Sequence, residues 1–289
     1  MKIAQLTAHS AERIDLPGPH GPVAALRTSA PATATVLLIP GYTGSKEDFA
    51  AVVDGIADAG LRAVAVDLPG QFESPGPEDE GAYLPAPLGK LVAGLVERLA
   101  EDGKPVVLLG HSFGGLVARA AVLTGAPVAG LTLLDSGPGA LPEGQRREAL
   151  RLGEPLLREK GLAAAYAMRE EINARFPAWA TLPVELKDFY RRRFISSSRA
   201  GLLGMAEGLR CEPDLVDSLA AELRGRALPS LVVSGESDDA WSMPAQREMA
   251  TRLGAPFHAV TGAGHSPNTE NPAGLLKVLL SEWRAWLHG

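Results

Sequence analysis

Ser112 stands between two glycines in Gly110-His111-Ser112-Phe113-Gly114, directly after the apolar run Val106-Val107-Leu108-Leu109 and directly before an Ala-rich helical pattern from Phe113 to Leu123. A serine set between strand and helix in the pattern Gly-x-Ser-x-Gly occupies a nucleophile elbow. So tight a turn strains the backbone at the serine and leaves no room for side chains at Gly110 and Gly114. The hydroxyl is thereby pushed out of the fold toward a cleft. The helix that follows begins with backbone N–H groups lacking helical partners, and that of Phe113 can face the oxygen that becomes negative when Ser112 attacks a carbonyl. One turn is expected to supply a nucleophile and half an oxyanion hole.

A serine hydroxyl is a poor nucleophile at neutral pH, so it needs a base within hydrogen-bond reach and a third group that fixes the base's tautomer. Six histidines compete for the role of base. His111 is expected to turn away from the cleft, His9, His20 and His288 fall near termini or turns, and His258 falls inside a strand-like run. His265 follows the flexible loop Thr261-Gly262-Ala263-Gly264, at the C-terminal sheet edge where open α/β folds bind ligands. It is the expected base. For the acid, Gly235-Glu236-Ser237-Asp238-Asp239 follows a buried strand and precedes His265, in the chain order Ser, acid, His that accompanies this elbow. Asp238 is the expected acid, with Asp239 and Asp135 as alternatives. The second oxyanion donor is expected from the loop Pro40-Gly41-Tyr42-Thr43-Gly44-Ser45, through the backbone N–H of Tyr42. Trp241, three residues beyond Asp238, is a candidate pocket wall. This chemistry requires no metal and no organic cofactor.

These groups must be carried by a framework that brings distant segments together. Residues 11 to 29 read as an antiparallel hairpin at a sheet edge, turned at Pro17-Gly18-Pro19-His20-Gly21-Pro22. From Thr35 onward strands and helices alternate: strands at Val36 to Ile39, Arg62 to Asp67, Val106 to Leu109 and Val128 to Leu134, with helices at Asp48 to Ala59, Leu88 to Ala100 and Phe113 to Leu123. Such apolar runs suit strands buried on both faces, and the alternation implies an α/β fold with a mostly parallel sheet flanked by helices. Between Gly137 and Gly225 the strand-like runs vanish and Arg, Glu, Ala and Leu recur at helical spacing, as in Glu148 to Leu152 and Leu162 to Ile172. This stretch reads as a helical insertion. Strand signals resume at Ser230 to Ser234 and Pro256 to Val260, with helices at Ala245 to Leu253 and Ala273 to Leu287, so residues 1–136 and 226–289 form one core interrupted by residues 137–225.

The 289 residues, 46% hydrophobic and 21% charged, can bury a sizeable core, and a net charge of −6 argues against a general nucleic-acid binder. The chain opens with no signal-peptide pattern and contains no run of about 18 apolar residues, so a cytoplasmic protein without a membrane span is expected. The single cysteine, Cys211, has no cysteine or histidine at metal spacing and is assigned no role.

The elbow Gly110 to Gly115, the turn Gly235 to Asp238, and Gly262-Ala263-Gly264-His265-Ser266 with Glu270-Asn271-Pro272 together resemble the α/β-hydrolase fold superfamily. Asp67-Leu68-Pro69-Gly70-Gln71-Phe72-Glu73-Ser74 is similar to the loop usually written Asp-x-x-Gly-x-Gly-x-Ser, with Phe72 where that pattern has glycine. Pro40-Gly41 stands where the family often has His-Gly. The resemblance implies that residues 137–225 are a helical cap over the site, where Phe176, Trp179, Phe189, Tyr190 and Phe194 can line an apolar pocket. Arg191-Arg192-Arg193 with Ser196-Ser197-Ser198 can either meet an anionic substrate group or form a solvated helix face. The activity expected is hydrolysis of a small ester, thioester or similar acyl substrate through an acyl-enzyme on Ser112. Acyltransferase, perhydrolase, aminopeptidase and C–C bond hydrolase chemistry use the same groups, and a non-catalytic protein binding small ligands on the same scaffold is the rival reading.

Overall fold

A computed structural model describes residues 4–175 and 177–288. Eight strands form one sheet: β1 (Glu12–Leu16), β2 (Val23–Arg27), β3 (Ala34–Ile39), β4 (Leu61–Val66), β5 (Val106–His111), β6 (Gly130–Leu134), β7 (Ser230–Gly235) and β8 (Phe257–Val260). Their order across the sheet is β1-β2-β4-β3-β5-β6-β7-β8. The hairpin β1-β2 and the pair β2-β4 are antiparallel, and every pair from β4 to β8 is parallel. The α/β sheet read from the alternating pattern is therefore the sheet found, with the hairpin attached at one edge.

Burial explains the residue choice strand by strand. β3, β5, β6 and β7 are buried at every position, which matches their continuous apolar runs. β1 is the outer strand and carries the exposed charges Glu12, Arg13 and Asp15, which discourage further strand pairing. The sheet is covered on one side by the helices Pro85–Leu99 and Phe113–Leu123 and on the other by the helices Val53–Asp58 and Pro272–His288, as the two main apolar clusters show.

The helices, in chain order, are α1 (Val53–Asp58), α2 (Pro85–Leu99), α3 (Phe113–Leu123), α4 (Gln145–Asn173), α5 (Pro177–Ala180), α6 (Val184–Ser196), α7 (Arg199–Cys211), α8 (Val216–Gly225), α9 (Met243–Leu253), α10 (Pro267–Glu270) and α11 (Pro272–His288). The helix expected at Asp48 to Ala59 is split: a 3₁₀ turn at Lys46–Phe49 precedes the shorter α1. Ser45 and Asp48 close a capping box at the start of that turn. Helices α4 to α8 fall in the stretch without strands, and α4 breaks at Gly161, where φ is 80°. Much of this insertion packs around its own small cluster, Leu157, Ala165, Tyr166, Phe194, Leu202 and Leu203. Helix α8 differs, because Val216, Leu219, Ala220 and Leu223 join the main cluster beneath α3 and α9. Among the described residues no helix is long and apolar enough to cross a membrane.

Candidate active site

Ser112 lies at the β5-to-α3 turn with φ 54° and ψ −122°, a left-handed conformation that non-glycine residues rarely adopt. Close packing imposes it. A side chain at Gly110 would overlap the carbonyl of Gly114, and one at Gly114 would lie 2.5 Å from the carbonyl oxygens of Ile39 and Pro40. The Ser112 amide is itself held by the carbonyl of Leu134 at 2.9 Å. The nucleophile candidate therefore sits on a turn whose shape its neighbours dictate.

The structure brings Ser112, His265 and Asp238 into one hydrogen-bonded row. Ser112 Oγ lies 2.8 Å from His265 Nε2, and His265 Nδ1 lies 2.7 Å from Asp238 Oδ1. A carboxylate accepts only, so the imidazole proton belongs on Nδ1 and leaves Nε2 to accept from the serine. Asp238 also accepts from the Ala240 amide at 2.8 Å and from Gln246 Nε2 at 2.7 Å. Burial alone would raise its pKa, but the hydrogen bond and charge of His265 outweigh this and hold the carboxyl below the usual carboxylate range.

Asp239 turns outward to pair with Arg146 at 2.6 Å. Asp135 is fully buried, with φ 45°, and its Oδ1 accepts from the Gly235 amide at 2.7 Å. Burial and then the neighbouring Asp238 charge push its pKa well above the ordinary carboxylate value. Asp135, Asp238 and His265 have ligand-type atoms within 4.8 Å of one another. The bond between His265 Nδ1 and Asp238 Oδ1 already uses atoms a metal would need.

His111 corrects one expectation. Its side chain does not turn away from the cleft but lies on the cavity wall, with Nε2 2.7 Å from the carbonyl oxygen of His265. A carbonyl accepts, so Nε2 carries the proton. Burial, then the nearby His265, lowers its pKa to about 4. His111 is a neutral strut. His20 is exposed, His9 is half-buried, and His258 on β8 lies 3.0 Å from Glu282; the side chain of His288 lies outside the described residues. Cys211 is exposed, its thiol bonded to Glu207.

Two residues that hold the site in place were missed from sequence. Glu270 accepts from the amides of both Gly264 and Ser266, the latter at 3.2 Å, and so clamps the backbone on either side of His265. Gln71 donates to the carbonyl of Gly41 at 2.8 Å and accepts from the Leu68 amide at 2.9 Å. Within a planar trans peptide the C=O and the next N–H point in opposite directions, so the bond to Gly41 orients the Tyr42 amide. Gly41 packs beside the serine, since a Cβ there would lie 3.0 Å from Ser112 Cβ. Among the described residues the Tyr42 and Phe113 amides donate to no other group. The Asp67-to-Ser74 loop and Glu270-Asn271-Pro272 carry the signals that would have pointed to Gln71 and Glu270, but neither motif alone discloses the bonds these side chains make.

A cavity of about 530 Å³ opens over Ser112 and His265, a size suited to a small organic ligand. Trp179, Tyr190 and Phe194 line it as expected, joined by Tyr166, Met168 and Ile172 from α4. Phe189 instead packs edge-on against Phe72, ring centroids 5.8 Å apart, and Phe176 lies outside the described residues. Phe72, where the family pattern has glycine, holds a left-handed backbone at φ 38°. Trp241 is a second correction: Ala240, not Trp241, reaches the wall. The indole is buried behind His265, packed on Gly137 and tied by its N–H to the Ala140 carbonyl at 3.2 Å. In the arginine run, Arg191 and Arg192 are exposed, while Arg193 is buried on Asp48 at 2.7 Å.

Residues 36–278 match the family model described as alpha/beta hydrolase family. In sequence the chain is 27% identical over 254 residues to 2-succinyl-6-hydroxy-2,4-cyclohexadiene-1-carboxylate synthase of Escherichia fergusonii, covering 84% of this chain and 91% of that one. In structure it is similar to a thermophilic esterase from Thermogutta terrifontis, solved with malate bound, at TM-score 0.74 and 24% identity over 97% of this chain and all of the other. It is also similar to an enol-lactonase from Burkholderia xenovorans, at TM-score 0.71 and 21% identity over 91% and 97% of the two chains. These two structural likenesses speak for the fold.

Proposed function

The chain belongs to the alpha/beta hydrolase family, and from that premise we propose that it is a serine hydrolase that cleaves small esters, thioesters or similar acyl compounds. The observation that carries this reading is the continuous row from Ser112 Oγ through His265 to Asp238, at 2.8 and 2.7 Å. Ser112 attacks the acyl carbonyl while His265 Nε2 takes its proton, and the carboxylate of Asp238 stabilises the imidazolium so formed. The amides of Tyr42 and Phe113 hold the oxyanion. As the tetrahedral intermediate collapses, His265 gives its proton to the leaving group, and the acyl group remains on Ser112. Water, deprotonated by His265, then attacks the acyl-enzyme and releases the acid.

The helical insertion is the substrate-facing cap in this reading, because α4 and α6 supply most of the cavity wall opposite the serine. Hydrolysis of p-nitrophenyl acetate and butyrate tests it. The wild-type protein is expected to turn both over, and Ser112→Ala to lose about a thousandfold or more in kcat/KM. A variant without the serine that kept the wild-type rate would overturn the assignment.

A further inference from the structure

Among the described residues, the cavity over Ser112 carries one arginine that no carboxylate neutralises. Arg146, Arg169 and Arg193 lie on its wall, together with the carboxylates of Asp48 and Glu154. Arg193 is paired with Asp48 at 2.7 Å and Arg146 with Asp239 at 2.6 Å, while Glu154 serves Arg158 at 2.9 Å and Arg210 at 2.7 Å. Among the described residues Arg169 makes no ion pair. Its Nη1 donates to Thr43 Oγ1 at 3.2 Å, and its guanidinium lies 5.7 Å from the centroid of the Phe194 ring. Hydroxyl and ring orient the group yet leave its charge uncompensated and most of its five N–H donors free.

Arg169 is exposed and lines the cavity. Protein surrounds it further out, so desolvation, then the nearby Arg193, holds its pKa below the ordinary arginine value. An arginine remains charged even so. A cation on the cavity wall without a counter-ion offers an arriving anion an unoccupied partner. Its placement says where on a substrate the anion belongs. Thr43, which Arg169 touches, follows Tyr42 directly, so the guanidinium borders the loop assigned to the oxyanion.

Resting on the serine-hydrolase reading, we propose that Arg169 is a specificity-determining residue that receives a carboxylate of the acyl substrate, so that esters and thioesters bearing a second, free carboxylate are preferred. A carboxylate fits for two reasons. Its single charge matches the single uncompensated cation, and its two oxygens match the guanidinium fork. A phosphate dianion would bring a second negative charge for which the wall offers no free partner.

Mono-p-nitrophenyl glutarate and its neutral methyl ester form the test pair, because they differ only in the distant charge. The wild-type protein is expected to favour the hemiester by about tenfold or more in kcat/KM. Arg169→Gln is expected to collapse that ratio toward one, mainly through KM, and Arg169→Lys to keep part of it. An unchanged ratio in a folded Arg169→Gln protein would overturn the proposal. Binding of monomethyl glutarate to Ser112→Ala protein, with and without Arg169→Gln, separates this claim from the hydrolase reading. Arg169-dependent binding alongside wild-type protein inert to both esters would retire the hydrolase reading and keep the anion site; binding indifferent to Arg169 would retire the anion site. Should Arg169→Gln fail to fold, wild-type binding of glutarate against its neutral diamide decides, and equal affinity overturns the proposal.

Discussion

On the sheet side of the cavity the groups around His265 are held from several directions at once: Glu270 grips the flanking amides, His111 the carbonyl, Asp238 the ring. On the helix side, α4 breaks at Gly161, and the wall rests on a cluster of six buried residues. Two of the three large apolar side chains exposed among the described residues, Leu152 and Val184, also belong to that side. Atoms that must meet within a few tenths of an ångström are placed by strand ends and crossed hydrogen bonds. Atoms that only need to enclose a substrate are placed by helices free to vary. Changes on the sheet side should therefore act on kcat, and changes on the helix side on KM and selectivity.

The sharpest way to break that division is at the carboxyl pair. Asp238→Asn leaves an amide facing His265 Nδ1 and favours the wrong tautomer, so kcat should fall by about a thousandfold or more. Asp135→Asn should cost less than about tenfold, because an amide oxygen can still accept from the Gly235 amide, whereas Asp135→Ala removes that acceptor and should cost more. Equal losses in Asp238→Asn and Asp135→Asn, measured by steady-state ester hydrolysis, would assign the orienting role wrongly. Next in size is Gln71→Ala, which frees the Gly41 carbonyl and with it the Tyr42 amide. A loss of about tenfold to a hundredfold in kcat is expected with KM little changed, and a pure KM effect would move Gln71 to the substrate wall.

The smallest effect concerns stability and pH. His111 has a folded pKa of about 4 against 6.5 in the unfolded chain, so between these values the unfolded chain binds a proton that the fold refuses. Stability should fall as pH drops from about 6.5 to 4, by at most ~3 kcal/mol from this residue. In His111→Gln, whose amide can still donate to the His265 carbonyl, the fall in unfolding midpoint across that window should be shallower. Parallel curves for the two proteins would remove His111 as the cause.

What the chain discloses without coordinates follows the same division. Ser112 and His265 could be read because each stands where the backbone itself must do something unusual, an elbow and a loop at a strand end, and short glycine patterns record that demand. Asp238 was readable from chain order, but what separates it from Asp239 and Asp135 is its own contact with His265, 27 residues away, and the bond that ties Asp135 to Gly235, 100 residues from Asp135, which no local pattern encodes. His111 misled because alternation along a strand fixes the face of a side chain but not the bend at the strand's end. Trp241 misled because nearness in sequence to Asp238 says nothing of depth, and its indole N–H found a carbonyl behind the site. Arg169 lies in a charge-rich helix where composition alone reads as a solvated face. Only the folded cavity shows that its neighbours are paired and it is not.

The central claim is that Ser112 is an activated nucleophile, and covalent capture tests it most directly. A fluorophosphonate should label the wild-type protein once, on the peptide containing Ser112 by mass spectrometry, with labelling abolished in Ser112→Ala and strongly slowed in His265→Ala. Wild-type protein that stays unlabelled, or labels at another serine, would contradict the account.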